Sequence, residues 1–327
     1  MSLRLSVVIA CLVGFVSISM EILWFSIIGY LLKGQAGIFG IVLSLVLFGI
    51  AFGATYGYKK IKSGLEDSST LISRFLFLTG VVNFIAIPLI GWFMSINELF
   101  GILFVFEIIF VSFLLGSIFP LLCHISVPSD EESVGQYMSW IYAGNIIGAT
   151  TGPLVTGFVL IDYFDRGLII SILSIVCVLL SIFLQFYKNE NPTLFRRKTM
   201  IKWATVIIMI STFDMLYANH YELIHFKDKY SYAKKFKYIE ESKSGVITVE
   251  EDKLGDIFYG GGAYDGRINI NPENNSNGID RAYMIAALHK RPSKVLMIGL
   301  STGSWARILS DFSRIEELTI IEINSKY

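Results

Sequence analysis

The chain has 327 residues, 54% hydrophobic and 17% charged, with a mean hydropathy of +0.60. Soluble domains run at about 45–50% apolar and about 25% charged, so this composition excludes an ordinary soluble protein and points to lipid. Its 27 basic and 27 acidic side chains balance, which gives no ground for a nucleic-acid partner.

In chain order, apolar runs long enough for the hydrocarbon core, about 20 residues, lie near 5–32, 36–58, 71–94, 99–123, 136–161 and 167–187. A seventh run, 201–218, is shorter and holds Lys202 and Asp214. Six or seven spans are therefore expected. The first run is too long for a signal-peptide core and reads as retained. Cys11, Cys123 and Cys177 all fall inside apolar runs and read as small core or lipid-facing residues. No metal site is expected.

Basic residues in the short loops orient the bundle. Lys59, Lys60, Lys62 and Arg74 follow the second run, and Lys188, Arg196, Arg197, Lys198 and Lys202 follow the sixth. The opposite loops hold only Lys33 and Arg166. The expectation is a multi-pass plasma-membrane protein with a cytoplasmic N-terminus. A spanning seventh run would then put the tail outside; an interfacial one would leave it in the cytoplasm. An Asp at the centre of a span costs about 2.5–3.5 kcal/mol, and one near the end costs less. The apolar centre "WATVIIMI" outweighs that cost, which favours spanning.

Two spans carry glycines four apart: Gly49, Gly53 and Gly57 in the second, Gly144, Gly148 and Gly152 in the fifth. Each row offers a groove in which another helix can approach closely. Their places suit a three-plus-three inverted repeat of the kind transporters use, although packing by glycine needs no transport. Ionisable groups in spans are functional candidates because lipid makes them costly. Glu21 and Glu107 are the deepest, each in the first helix of a repeat, and suit a cation or amine site. A structural, hydrogen-bonded carboxyl is the alternative. His124, Asp162 and Asp214 lie nearer the span ends.

Beyond Tyr221 the pattern changes. "SYAKKFKYIEESKSGVITVEED" and "GDIFYGGGAYDGRINI" read as short strands joined by Gly and Asp turns. The loop "NPENNSNGID" leads to an expected helix, "RAYMIAALHKR". "KVLMIGLSTGSWARIL" then reads as a strand covered on both faces, a small-residue turn and a helix. "LTIIEINSKY" supplies a second strand ending in an acid. Gly299 and Gly303 would let backbone approach a ligand, and helix N-terminal N–H groups can face its polar end. Glu322 stands where a carboxylate takes the hydroxyls of a ribose. Ser301 replaces the middle glycine of a dinucleotide fingerprint, and the looser turn suits an adenosyl sulfonium ligand without phosphate.

These tail motifs resemble the spermidine synthase family of aminopropyltransferases. The helical part, with "MEILWF" in its first span and a Gly-rich fifth span, is similar to the membrane-fused type. The resemblance implies a small β module before a Rossmann-like, class I methyltransferase fold. It implies decarboxylated S-adenosylmethionine as co-substrate, with its aminopropyl group passing to a diamine such as putrescine. Gly299, Ser301 and Gly303 match the family's glycine-rich turn, Glu322 its ribose-binding acid, and Asn269 falls where a glutamine usually lies near the ligand. The departures are Ser301 and Thr302, where the turn usually carries an aspartate, and Asn324, where an aspartate often follows the ribose acid. The family's catalytic aspartate, the base for the attacking amine, would lie beyond Tyr327. No catalytic residue is therefore assigned, and the chain alone is expected to be inactive.

The expected domains are 1–219 transmembrane, 220–275 a small β module, and 276–327 the incomplete start of a Rossmann-like domain. The alternatives are a small-molecule or polyamine transporter with a regulatory tail, or an S-adenosylmethionine-dependent methyltransferase-like protein. The expected partners are the lipid bilayer and a small amine, with self-association open. No tightly bound cofactor is expected.

Overall fold

The computed structural model describes residues 1–32, 34–64, 66–128, 131–187, 192–213 and 236–327. Lys33, Lys188, Asp214, Tyr221 and the boundary expected at 219 lie outside them. The chain divides into two compact units, a helical one and one that comprises Ile28–Gln35 with Phe226–Tyr327.

Six helices are long and apolar enough to cross a membrane, and the chain is a multi-pass membrane protein. They are α1 (Leu3–Leu31), α2 (Ile38–Ser63), α3 (Ser68–Ile96), α4 (Leu103–Ser126), α5 (Glu131–Val155) and α6 (Arg166–Tyr187). Each overlaps an expected run, with ends set by local chemistry. The second runs on through Lys59, Lys60 and Lys62 until Gly64, in the left-handed conformation, closes it. Asp67 starts the third by accepting the Thr70 amide at 2.9 Å. After Pro153 the fifth continues through a π turn, Thr156–Leu160, and a last turn, Ile161–Tyr163. A helix can absorb a lost ladder donor in this way. A further helix, α7 (Pro192–Phe213), begins nine residues before the expected seventh run, with Pro192 in the first turn.

The two glycine rows build the same interface twice. Each row lies along a helix from the other half of the bundle. In α5, Gly144 faces the Val7 carbonyl, Gly148 that of Cys11 and Gly152 that of Phe15. In α2, Gly49 faces the Ile109 carbonyl, Gly53 that of Phe113 and Gly57 that of Ser117. The partner helices return a glycine each: Gly14 of α1 against Asn145, and Gly116 of α4 against Ile50. Val7, Cys11, Gly14 and Phe15 stand 102 positions before Ile109, Phe113, Gly116 and Ser117. Gly49, Ile50, Gly53 and Gly57 stand 95 positions before Gly144, Asn145, Gly148 and Gly152. Any Cβ in these rows would meet backbone, so the glycines are fixed by close approach. The helices of each pair run parallel, because numbers rise together along both. Alternating spans then make the two three-helix halves inverted with respect to each other.

Short polar links join the helices at other points. The Ser6 and Ser126 hydroxyls lie 2.5 Å apart, Thr156 donates to Ser19 at 2.9 Å, and Ser73 and Ser181 lie 3.0 Å apart. Phe39, Phe48 and Phe52 project from the bundle, as lipid-facing residues do.

The second unit begins with an antiparallel meander, β1 (Phe236–Ser242), β2 (Gly245–Glu250), β3 (Ile257–Gly260) and β4 (Ala263–Arg267), in sequential order. Gly261 and Gly262, both at positive φ, make the turn between β3 and β4. Val246, Ile247 and Val249 are buried. Next come β5 (Lys294–Ile298), α8 (Ser304–Ser310) and β6 (Glu317–Ile321). The strands β5 and β6 pair in parallel from Lys294↔Glu317 to Ile298↔Ile321. The helix expected at "RAYMIAALHKR" is present as two short α-helices, Asp280–Tyr283 and Ile285–Leu288, divided at Met284. Ile279 and Ala282 pack with Ile308, Trp305 and Phe312 into a small core. The expectation that β5 is covered on both faces is corrected. Val295 and Met297 are half-buried, but Leu296 is 59% and Ile298 80% exposed. Among the described residues that sheet has two strands and no layer covers this face.

Candidate functional site

The turn from Gly299 to Gly303 is shaped by backbone that L-residues avoid. Gly299, Ser301 and Gly303 have φ of 85°, 50° and 72°. Glycine adopts such angles without penalty, whereas Ser301 must be held there. Its hydroxyl donates to the Asp265 carbonyl at 3.0 Å, and Thr302 donates to that of Arg267 at 3.3 Å. Both acceptors lie on β4, where Gly266 leaves room: a Cβ there would stand 2.9 Å from the Ser301 hydroxyl.

The other side of the turn is fastened to the end of β6. Gly299 donates its amide to Ile321 O at 2.8 Å. Glu322 accepts the Leu300 amide on Oε2 at 2.6 Å and the Asn324 amide on Oε1 at 2.8 Å. These amides, Asn324 first and then Leu300, hold its carboxyl below the ordinary carboxylate value. An ionised carboxylate has about four acceptor positions, so Glu322 keeps acceptor capacity beyond its amide partners.

The residues expected to contact a ligand separate into two groups. A cavity of about 590 Å³ is lined by Gly299 and Ser301 with Asp265, Asn277, Arg281 and Trp305. Gly303 and Asn269 line a second cavity, about 420 Å³, on the other side of the turn with Thr302 and Arg307. Glu322 lines neither. The larger volume is ample for an adenosyl-sized ligand. The Asn269 side chain is already engaged. Its Nδ2 donates to Asn271 O at 3.3 Å and Asn274 O at 3.1 Å, and its Oδ1 accepts the Asn271 amide at 2.8 Å. It braces the "NPENN" loop.

Asn277 and Tyr327 build the site without having been singled out for it, and Asn324 joins them. Asn277 accepts the Tyr264 hydroxyl at 2.9 Å and the Arg267 amide at 2.8 Å, and donates to the Arg267 carbonyl. The Tyr327 hydroxyl donates to Asp265 at 2.5 Å while its ring stacks on Phe258. Burial, with the Asp265 acceptor, pushes this phenol above its usual value. Asn324, where the resembled family often has an aspartate, accepts the Ser242 hydroxyl at 3.0 Å and ties the β1–β2 hairpin to the segment after β6.

In the helical unit, Glu107 is 6% exposed and accepts the Trp24 indole N–H on Oε1 at 3.3 Å. Its Oε2 is buried without a hydrogen-bond partner among the described residues. Glu21 lies about one turn before Trp24 and is half-buried. The two carboxyls are thus at similar depth, but they are not repeat equivalents. The 102-residue relation pairs Glu107 with Leu5 and Glu21 with Cys123. His124 is exposed, and Asp162 is partly so. Arg166, counted above as a loop charge, is 2% exposed at the start of α6 and donates to the Ser26 hydroxyl at 2.7 Å.

No protein-family model, curated protein or solved structure matches this chain.

Proposed function

We propose that this is a membrane-anchored, spermidine-synthase-like protein whose C-terminal unit binds its ligand in the manner of a Rossmann-like aminopropyltransferase domain. The observation that carries the reading is the link from Glu322 to Leu300. A parallel strand, a left-handed turn, a helix and a second strand ending in an ionised carboxylate are joined so that the acid reads the turn's conformation. In that arrangement Glu322 would take the ribose hydroxyls, and the cavity beside Gly299 and Ser301 would receive the adenosyl group. Asn269, committed to its own loop, would act by shaping the cavity mouth. The test is calorimetric titration of the purified protein with decarboxylated S-adenosylmethionine and with S-adenosylmethionine. The reading expects saturable binding that Glu322→Ala weakens at least tenfold. A preference for S-adenosylmethionine favours the methyltransferase-like alternative, and binding of neither ligand overturns the reading.

A second reading of the helical unit has its own support, the twice-built glycine interface. Two inverted three-helix halves are the architecture of alternating-access carriers. Glu107, with one carboxylate oxygen unpartnered among the described residues, supplies an acceptor for an ammonium group. Uptake of labelled putrescine into proteoliposomes, lost in Glu107→Gln, would support this reading. Equal leakage in protein-free vesicles would remove it.

A further inference from the structure

The cavity of about 590 Å³ beside the turn carries charges of both signs. Among the described residues that line it, Asp265 is the only acid and Arg281 the only base. They stand on different walls, Asp265 on β4 and Arg281 in the short helix Asp280–Tyr283. Asn277 joins those walls: it accepts the Arg267 amide of β4 at 2.8 Å and directly precedes Gly278. Gly278, at φ 57°, leaves room for the Arg281 guanidinium, since an added Cβ would stand 3.2 Å from its Nε and 3.3 Å from its Cζ. Both charged side chains are open to solvent, and neither is neutralised by the protein. The Arg281 guanidinium makes no hydrogen bond or ion pair among the described residues, so its fork of N–H donors is unused. Asp265 accepts the Tyr327 hydroxyl on Oδ2 at 2.5 Å, which orients the carboxylate without cancelling its charge. Its Oδ1 has no partner among the described residues.

We propose that this cavity recognises a zwitterionic α-amino-acid group, with the carboxylate on the Arg281 fork and the ammonium on Asp265 Oδ1. The inference rests on the reading of the turn as an adenosyl site and names the chemistry of what lies beside the adenosyl group. Charge selects the occupant. A guanidinium takes a carboxylate through two parallel hydrogen bonds, and a carboxylate oxygen takes an ammonium. A diamine would satisfy Asp265 but bring its second ammonium toward Arg281, where like charges repel. A simple anion would meet Asp265 in the same way. Only a group that carries both signs on neighbouring atoms suits both walls. Such a group has two sources, the methionyl tail of intact S-adenosylmethionine or a separate amino acid that receives the transferred group.

The test is calorimetry on the full chain in neutral detergent. 5′-Methylthioadenosine, which has the adenosyl group and no charged tail, reports on the adenosyl reading alone. S-adenosylmethionine is compared with its decarboxylated form, and alanine with putrescine, the second pair with and without methylthioadenosine. At least one comparison should favour the zwitterion about tenfold, as expected for one charge-assisted, two-bond contact at an open site. Arg281→Gln should erase that preference, and Arg281→Lys, which keeps the charge and loses the fork, should retain part of it. Arg291→Gln, at a residue that does not line the cavity, should leave the preference intact. A preference in the first pair identifies the ligand's own tail, and one in the second pair identifies a separate amino acid. No preference in either pair, or one that survives Arg281→Gln, overturns the proposal. If methylthioadenosine fails to bind, the adenosyl reading falls, and alanine against putrescine still decides this one.

Discussion

Glu322 accepts the Leu300 amide at 2.6 Å and so couples the first residue after β6 to the turn that follows β5. A substitution at Glu322 should therefore loosen the turn as well as weaken any ligand. Glu322→Gln should raise amide exchange across Leu300–Thr302 roughly tenfold, in keeping with about 1–2 kcal/mol for a charge-assisted hydrogen bond that is partly exposed. Exchange mass spectrometry without ligand measures this. Unchanged rates would mean that the bond does not hold the turn.

The same carboxylate makes the turn sensitive to acid. Its folded pKa is lowered by amide donors, so its contribution to stability is present above the ordinary carboxylate range and is lost as pH falls through the depressed value. Turn exchange, corrected for its intrinsic pH dependence, should rise as the pH drops from 5 toward 3 in the parent. It should stay flat in Glu322→Gln.

Gly148→Leu and Gly53→Leu should destabilise the bundle to a similar extent, because each forces a side chain onto a partner-helix carbonyl in equivalent interfaces. Overpacking of this kind costs about 1–3 kcal/mol or more. Gly40→Ala, with nothing within 4 Å of its added Cβ, is the control. Thermal melts in detergent compare them. If the two leucine variants diverge widely, the interfaces are not energetic equivalents.

The 327-residue chain should show no spermidine formation from decarboxylated S-adenosylmethionine and putrescine, since the reading assigns no general base among the described residues. Sustained turnover would mean that another acid, Asp265 being the nearest to the cavity, accepts the amine's proton.

A cysteine at the exposed Ser276 should react with an impermeant thiol reagent on intact cells if the run 201–218 crosses the membrane. Labelling only after lysis would place the C-terminal unit on the cytoplasmic side.

Much of the helical unit was legible because lipid imposes a simple rule: length and apolarity alone mark a span. The glycine rows were also legible, since a missing side chain at every fourth position has few other uses. Which helix fills each groove was not, for that depends on contacts between residues 60 to 137 positions apart. Arg166 shows the limit of counting charge by loop, because a residue at a helix start can turn inward. In the tail, the alternation of β1 to β4 and the strand–turn–helix order could be read, and so could the place of Glu322. The bracing of β4 beside the turn could not. It depends on Asn277, one of five asparagines between 269 and 277, and on a terminal tyrosine, neither of which differs in type or spacing from ordinary loop residues.

The crossed pairing of the glycine interfaces also bears on how the protein is made. The groove partner of α1 is α5 and that of α2 is α4, so neither half of the bundle can close its own interfaces. As the chain leaves the ribosome, Cys11 must wait for Gly148. At about 5–20 residues per second that interval is on the order of ten seconds. For that time the first helix is in the bilayer with an unfilled notch, and whatever lipid or insertion factor occupies it must be displaced. Assembly of this membrane unit is thus a late event, timed by the arrival of the fifth helix.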